Sequence, residues 1–380
     1  MTIPRVLNFF EADGILVLHD LGKWTEPLES WMYPSTTGSD SPPSPETCRS
    51  VGTRLGKILA SVHCDATLLL KSQSLTGDGK QWFENPDTKD LVRDEIVGKI
   101  LPIQRPHFNP DTDRPENIAK LISQDFETSF LNALRSSSNT PKMMFSNGDL
   151  WMGSILVGSP PSSTEVELGL IDWEFASPAR IGQDIAQLSA WLYLFSTSST
   201  WSSTEPRYRR AVMDTISPAS SIGLGQFGPD FGISGGPGAE GAGPETGETL
   251  VWRSAAGNIL SALLETYAQK VKEYPDYAWF VNETHNTHAL RKERLAVIRS
   301  IWILFGREVI YNAIEAESCF SKFFPVAGDE KEVEVRMWQR VMIEVGSWYV
   351  SRAGESSDEE FEEVVRKESV LREMYTVSRS

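Results

Sequence analysis

Two short apolar runs in the middle of the chain each lead to an aspartate, and this pair constrains the fold more than any other feature. The first run is Met143-Met144-Phe145-Ser146, which continues through Asn147-Gly148 to Asp149. The second run is Leu168-Gly169-Leu170-Ile171, which is followed directly by Asp172. Short apolar runs bounded by turn residues are typical of β-strands, so both acids are expected at strand ends. A fold that uses the two acids together has to bring these strand ends side by side.

Asn147-Gly148 also has a simpler interpretation, as the tight turn of a β-hairpin. Residues 144–145 and 155–157 would then be the flanking strands, and Asp149 would be an ordinary turn residue. The separation between Asp149 and Ser154 is too long for a tight hairpin, tryptophans adjoin both acids, and a second strand-to-acid element follows. These observations favour a joint role for the two acids.

Phosphoryl transfer is the chemistry that suits such a pair. In that reaction the protein chiefly positions groups and neutralises charge: one carboxylate orients or deprotonates the attacking hydroxyl, and another holds Mg²⁺ on the phosphates. Asp149 could be the base and Asp172 the metal ligand. Ser154 could complete the metal shell, since Mg²⁺ prefers oxygen ligands. Glu174 could be a further ligand, because the two-residue repeat of a strand would place it on the same side as Asp172.

The remaining sequence predicts an α+β protein. Residues 5–10 and 14–19 are apolar β-type runs joined by an Asp-Gly turn signal, so an antiparallel pair is expected. Apolar residues recur at helical spacing in seven segments, which are 47–64, 91–101, 118–134, 185–195, 251–274, 288–317 and 333–351. Asp184 stands where the fourth of these helices should begin and is a candidate N-cap.

Composition limits the partners and the compartment. The formal net charge of −16 argues against a nucleic-acid partner or an anionic membrane, because either would require a basic face. No stretch approaches the ~18 apolar residues of a membrane span, and the N-terminus lacks a signal pattern. Three widely spaced cysteines suggest neither a disulfide framework nor a zinc site. We therefore expect a cytoplasmic protein with neither a nucleic-acid nor a membrane partner, and its oligomeric state is left open.

The two acidic segments together carry a family resemblance. Asn147-Gly148-Asp149-Leu150-Trp151-Met152-Gly153-Ser154 and Ile171-Asp172-Trp173-Glu174-Phe175 resemble the catalytic and metal-binding loops of the aminoglycoside phosphotransferase and choline kinase superfamily, which has a protein-kinase-like fold. Within it the chain is most similar to methylthioribose kinases and the related hydroxytryptamine kinases. Methylthioribose kinases carry Ser where most relatives carry the metal-binding Asn, as at Ser154, and Glu two residues after the metal Asp, as at Glu174. The resemblance extends from the start of the chain to about residue 195.

The resemblance implies an ATP- and Mg²⁺-dependent kinase of small-molecule hydroxyl groups. By this resemblance, Asp149 is the catalytic base. The metal ligands are Asp172, Ser154 and Glu174, and the supporting residues are Asn147 and Asp184. Asn147 replaces the His that usually precedes Gly-Asp, and Asp184 would brace the catalytic loop. Residues 6–22 resemble the last strands of the N-lobe and the hinge, where His19, Asp20 and Leu21 would meet adenine. Residues 51–63 resemble the first long helix of the C-lobe.

The implied organisation is an α-rich C-lobe with a catalytic-loop hairpin and only the last strands of an N-lobe. Its segments are a remnant of N-lobe strands and hinge at 1–22, a C-lobe core at 23–195, a flexible Ser/Gly/Pro-rich excursion at 196–250, C-lobe helices at 251–353 and an acidic tail at 354–380. The glycine loop and the phosphate-binding lysine of the N-lobe have no counterpart. Two G-x-G-x-x-G matches, at 223–228 and 236–241, lie in the Gly/Pro-rich excursion and reflect its composition.

Two alternatives remain open on the sequence. The first is a catalytically impaired, pseudokinase-like binding protein, or a gene model truncated before the glycine loop. The second is an unrelated α-rich interaction protein, which would require the Asn147-Gly148 segment to be a coincidental hairpin.

Overall fold

A computed structural model describes twelve segments of the chain. They are residues 6–10, 15–18, 25–34, 42–74, 90–107, 115–131, 143–158, 166–201, 254–281, 288–324, 327–367 and 370–374. The described part is mainly helical and contains a few antiparallel strands, which confirms an α+β protein at this level. Among the described helices, none combines the length and the apolar character needed to cross a bilayer.

In the part of the chain that the structure describes, seven short strands form three small antiparallel sheets. The strands are β1 (Val6–Phe10), β2 (Ile15–Leu18), β3 (Thr25–Pro27), β4 (Met143–Ser146), β5 (Ile155–Gly158), β6 (Glu167–Leu170) and β7 (Ser177–Arg180). β1 pairs with β2, as the sequence predicts. The second sheet has the order β3-β5-β6, and the third consists of β4 and β7.

Eleven α-helices are present in the described residues. They are α1 (Leu28–Met32), α2 (Pro45–Ser74), α3 (Ile100–Gln104), α4 (Pro115–Asp125), α5 (Gln183–Ser199), α6 (Ala255–Val271), α7 (Ala278–Val281), α8 (His288–Glu315), α9 (Glu317–Phe320), α10 (Asp329–Glu355) and α11 (Asp358–Lys367). π-Helical turns occur at Val92–Ile96 and Phe126–Leu131. Short 3₁₀ turns occur at Val97–Lys99, Arg105–His107, Met152–Ser154, Trp173–Phe175, Ser321–Phe323 and Arg372–Met374.

Local chemistry explains where the two helices behind the site begin. Ser44 precedes α2 and its hydroxyl accepts a hydrogen bond from the backbone N–H of Thr47, while Pro45 takes the first helical position, where a missing N–H costs nothing. Ser254 caps α6 in the same way by accepting from Gly257 N. The two helices pack closely because Gly52 faces the backbone of α6, where any Cβ would collide with a main-chain carbonyl oxygen.

α8 and α10 form the other closely packed helix pair. Gly306 and Gly346 face each other across it, and a Cβ on either would collide with the carbonyl oxygen of the other. The apolar core around this pair includes fully buried aromatic side chains, among them Trp302, Phe305 and Tyr349. α8 also packs against α5, the helix that begins beside the two acid-bearing loops.

Two predicted helices differ from the structure in their course. The segment 91–101 is not one α-helix but a π turn, a 3₁₀ turn and α3, because Gly98 is a weak helix former and Pro102 cannot donate to the carbonyl of Gly98. The segment 118–134 changes from α4 to a π turn at Phe126, where the Thr128 hydroxyl bonds the carbonyl of Gln124 at 2.7 Å. The acidic tail includes the helix α11, whose Phe361 is fully buried.

The expected start of the flexible excursion, at residue 196, is wrong. α5 continues to Ser199, and Ser196 and Ser198 are buried. Hydroxyl groups in this last turn bond main-chain carbonyls; for example, Thr197 donates to Tyr193 O at 3.0 Å. Such bonds allow a serine-rich sequence to end a buried helix. Residues 202–250, the rest of the excursion, lie outside the described residues.

Strand pairing brings the two acid-bearing loops together. β4 pairs with β7, with Ser146 opposite Ser177, and β5 pairs with β6, with Ile155 opposite Leu170. Residues 147–154 run from β4 to β5, and residues 171–176 run from β6 to β7. Both loops therefore connect the same two strand pairs and run beside each other. The tight-hairpin interpretation of Asn147-Gly148 is wrong, because the strands on either side of it pair with different partners.

Candidate active site

Asn147 joins the two loops directly. Its side-chain Nδ2 donates to the main-chain carbonyls of Ile171 at 3.3 Å and Asp172 at 3.1 Å. The side chain is almost completely buried, with 1% of its surface exposed, so these bonds are shielded from water. On the other side of the loop, the N–H of Ile171 donates to the carbonyl of Ser154 at 3.0 Å.

Gly148 makes a second close contact between the loops. Its backbone has φ +92°, and a Cβ at this position would collide with the carbonyl oxygen of Phe175. Only glycine satisfies both conditions, since other residues rarely adopt this φ and none lacks the Cβ. The Asn-Gly pair of the sequence is therefore required for the approach of two loops rather than for a hairpin turn.

Asp184 holds the loop from beneath. Its carboxylate accepts hydrogen bonds from the backbone N–H groups of Asn147 at 2.7 Å and Gly148 at 3.1 Å, and from the hydroxyl of Ser146. Burial of this carboxyl opposes ionisation, yet hydrogen bonds from His63, Ser146 and Asn147 N outweigh it and lower the pKa of Asp184. The N-cap position of α5 is Gly182, so Asp184 bonds the 147–154 loop instead of capping its own helix.

The network behind Asp184 reaches two other helices. His63 of α2 lies 3.0 Å from Asp184 through Nε2 and 2.9 Å from the hydroxyl of Tyr267 in α6 through Nδ1. The Tyr267 hydroxyl also contacts Met144 Sδ at 3.7 Å. No sequence motif points to His63, because its partners are far away in the chain. The structure places it in the buried support of the loop.

Asp149 extends from this supported loop into solvent. Burial is the largest cause that raises the pKa of Asp149 to about 6, and the carboxylates of Glu308, Asp172, Asp184 and Glu174 raise it further, in that order. Solvent reaches part of this side chain, so the desolvation comes from protein atoms that crowd its other sides. A carboxyl group with a pKa near neutrality is suited to take a proton during a reaction.

Glu308 is a second site residue that sequence reasoning missed. It lies in α8, is 4% exposed, and is paired with the equally buried Arg307. Asn312 Nδ2 donates to its other carboxylate oxygen at 3.1 Å. Its effect on Asp149 exceeds that of Asp172. No local motif could have identified it, since it reaches the site through helix packing alone.

Asp172 has an unusual backbone. It is the one non-glycine residue with positive φ among the described residues, at φ 59° and ψ 53°. A left-handed conformation at a non-glycine residue is costly, and such residues cluster at functional sites. Asp172 and Glu174 are both exposed. They do not share one side of a strand, because β6 ends at Leu170 and Glu174 lies in a 3₁₀ turn.

The oxygen donors of the two loops fit a Mg²⁺ site in part. Among the described residues, no group of three or more His, Cys, Asp or Glu side chains forms a metal cage. Mg²⁺ is commonly held by one or two carboxylates together with substrate phosphates and water, so the exposed Asp172 and Glu174 fit such a site. The Ser154 hydroxyl is fully buried, accepts from Trp151 N at 3.0 Å and donates to Trp151 O at 2.9 Å. Its oxygen thus has a structural role in this conformation.

The proposed adenine contacts, His19, Asp20 and Leu21, lie outside the described residues. Neither the family models nor the curated proteins with which the sequence was compared give a match.

Proposed function

We propose that this chain is a kinase that uses ATP and Mg²⁺ to phosphorylate a hydroxyl group of a small molecule. We also propose that its helices and strands form the C-lobe of a protein-kinase-like fold, related to the aminoglycoside phosphotransferase and choline kinase superfamily. The observation that carries the proposal is the juxtaposition of two acid-bearing loops, which Asn147 joins through the carbonyls of Ile171 and Asp172.

Asp149 is the catalytic base in this proposal. Its carboxylate accepts the proton of the substrate hydroxyl as the hydroxyl oxygen forms a bond to the γ-phosphorus of ATP and the bond from that phosphorus to the ADP oxygen breaks. A pKa of about 6 supports this role, since the group is ionised at neutral pH and still basic enough to share a proton. Its position on a rigid, hydrogen-bonded loop supports precise orientation toward the hydroxyl.

Asp172 and Glu174 are the proposed metal ligands. When bound, Mg²⁺ supplies positive charge that neutralises the phosphate oxygens of ATP. The strand before Asp172 ends at Leu170, the backbone of Asp172 is left-handed, and Asn147 Nδ2 bonds the main-chain carbonyl of Asp172 in that conformation. Ser154 is proposed as a ligand only if its hydroxyl turns from the backbone of Trp151.

The test is ATP turnover with Mg²⁺ over a panel of small alcohols, sugars and amines. Wild type is compared with Asp149→Asn, which keeps the shape of the side chain and removes its basicity. Asp94→Asn is the matched control, because Asp94 is an exposed aspartate in the π turn Val92–Ile96. We expect Asp149→Asn to lose ~100-fold or more in turnover, the scale of general base catalysis, and Asp94→Asn to match wild type.

Equal turnover in wild type and Asp149→Asn would overturn the catalytic assignment. Binding of Mg-ATP without turnover of any acceptor would favour the pseudokinase-like alternative. Isothermal titration of Mg-ATP into the wild-type protein distinguishes these outcomes.

A further inference from the structure

Two glutamine side chains hold the main-chain carbonyl that immediately precedes Asp149. Gln183 Nε2 donates to Gly148 O at 3.4 Å, and Gln187 Nε2 donates to the same oxygen at 3.3 Å. The two glutamines are four residues apart in α5 and therefore lie on one face of that helix. They converge on the peptide that joins Gly148 to Asp149.

The same helix bonds the other side of the loop. Asp184, beside Gln183 in the chain, accepts from the N–H groups of Asn147 and Gly148. Side chains at the start of α5 thus bond three main-chain groups immediately before Asp149. The Asp184 carboxylate accepts from the N–H groups of Asn147 and Gly148, and the two glutamine amides donate to the Gly148 carbonyl. The Asp149 N–H makes one hydrogen bond, 3.4 Å long, to Asn147 Oδ1, whereas the Gly148 carbonyl accepts two, of 3.4 and 3.3 Å. The carbonyl side is therefore the better-held side of this peptide.

The orientation of the two glutamine amides leaves their Oε1 atoms buried without a hydrogen-bond partner among the described residues. Gln187 is 7% exposed. Turning either amide over would place its oxygen against the carbonyl oxygen of Gly148, which would be repulsive. Both side chains therefore keep their donors on Gly148 and leave an acceptor unpaired, an arrangement that calls for a functional explanation.

We propose that Gln183 and Gln187 are positioning residues that orient Asp149. The proposal rests on the proposed kinase function, in which Asp149 is the base. A peptide group is planar, so hydrogen bonds that hold the Gly148 carbonyl also fix the positions of Asp149 N and Cα. The Asp149 side chain starts from that Cα. Gly148 itself restrains this peptide little, because glycine has the widest backbone freedom. The two amides supply the missing restraint.

The test uses the double variant Gln183→Met/Gln187→Met, which preserves side-chain length and removes both donors. Gln104→Met is the control, since Gln104 is fully buried, donates one hydrogen bond to Ser347 Oγ at 3.1 Å and also has an unpartnered Oε1. Two quantities are measured: hydrolysis of Mg-ATP with water as the acceptor, and hydrogen exchange of the backbone amides of 147–149. Thermal unfolding shows that each variant is folded.

In the double variant we expect kcat to fall ~10- to 100-fold with an unchanged KM for Mg-ATP, as for a misplaced catalytic group. Amide exchange at 147–149 is expected to become about tenfold faster, whereas Gln104→Met changes neither quantity. Unchanged exchange and kcat in the double variant would overturn the positioning role. If wild type neither hydrolyses Mg-ATP nor phosphorylates any acceptor of the panel, the proposed function fails, and the exchange rates alone then decide whether the glutamines hold the loop.

Discussion

The side chain of Asn147 bonds the main-chain carbonyl of Asp172 at 3.1 Å, so the residue two positions before the proposed base holds the proposed metal ligand. Asn147 also contributes its own N–H to Asp184, which braces the loop from α5. One buried residue therefore connects the base-bearing loop, the metal-bearing loop and the supporting helix. The sequence resemblance implies a supporting residue at this position, and its bonds identify what is supported.

Replacing Asn147 with alanine tests this coupling. The variant loses both bonds to the Asp172 loop, and we expect a loss of about 1–3 kcal/mol in the free energy of unfolding. Turnover should fall ~10-fold or more, because the two acids are no longer held together. The measurements are urea unfolding and Mg-ATP turnover with titrated Mg²⁺.

Asn258→Ala is the matched control for this variant. Asn258 is also buried and donates through Nδ2 to a main-chain carbonyl, that of Ser254, at 3.0 Å. It should lose stability with little change in turnover per folded molecule. Similar losses of turnover in both variants would contradict a specific coupling by Asn147.

The pH dependence of turnover should report the ionisation of Asp149. Because the base acts as a carboxylate, kcat/KM should rise with pH through a midpoint near 6 and level off above it, since this ratio reflects the free enzyme. Glu308→Gln removes the largest charge effect that raises this pKa, so the midpoint should move to lower pH. Glu315→Gln, an exposed position in the same helix, should leave it unchanged. A midpoint unaffected by Glu308→Gln would contradict the electrostatic role of α8.

Asp149 should also reduce stability at neutral pH. Its pKa is raised from 3.8 to about 6 in the folded state, so unfolding releases a proton between these values and ionisation then favours the unfolded chain. Relative to wild type, Asp149→Asn should therefore gain stability progressively as pH rises from about 4 to about 6, and keep that gain above it. Urea unfolding across this pH range measures the difference. Asp94→Asn should show no such pH-dependent gain, and a constant difference for Asp149→Asn would contradict the raised pKa.

Local sequence patterns predicted much of the fold and part of the site. The strand ends before Asp149 and Asp172 were visible because apolar runs and turn residues are local signals. Glu308 and His63 were not, since each reaches the site from a distant helix and carries no motif of its own.

The predicted relation between Asp172 and Glu174 was wrong for a different reason. The prediction assumed that the two-residue repeat of a strand continues to Glu174, but the left-handed backbone at Asp172 breaks that repeat. No sequence pattern identified Gln183 and Gln187 either, because their proposed role depends on the position of the Gly148 carbonyl in the folded chain.

Gly148→Ala tests whether contact between the loops, as well as backbone freedom, is essential. The added Cβ would strain a residue at φ +92° and collide with Phe175 O, so either the loop shifts or its partner does. Gly328→Ala is the control, because Gly328 also has positive φ, +64°, but has no heavy atom within 4 Å of the added Cβ. We expect the control to lose about 1–2 kcal/mol of stability from backbone strain alone, with normal turnover, and Gly148→Ala to lose more stability and most of its Mg-ATP turnover. Chemical unfolding and turnover per folded molecule measure the two effects. If both variants lose the same stability and retain turnover, the loops tolerate separation at this contact and the close approach to Phe175 has no part in the activity.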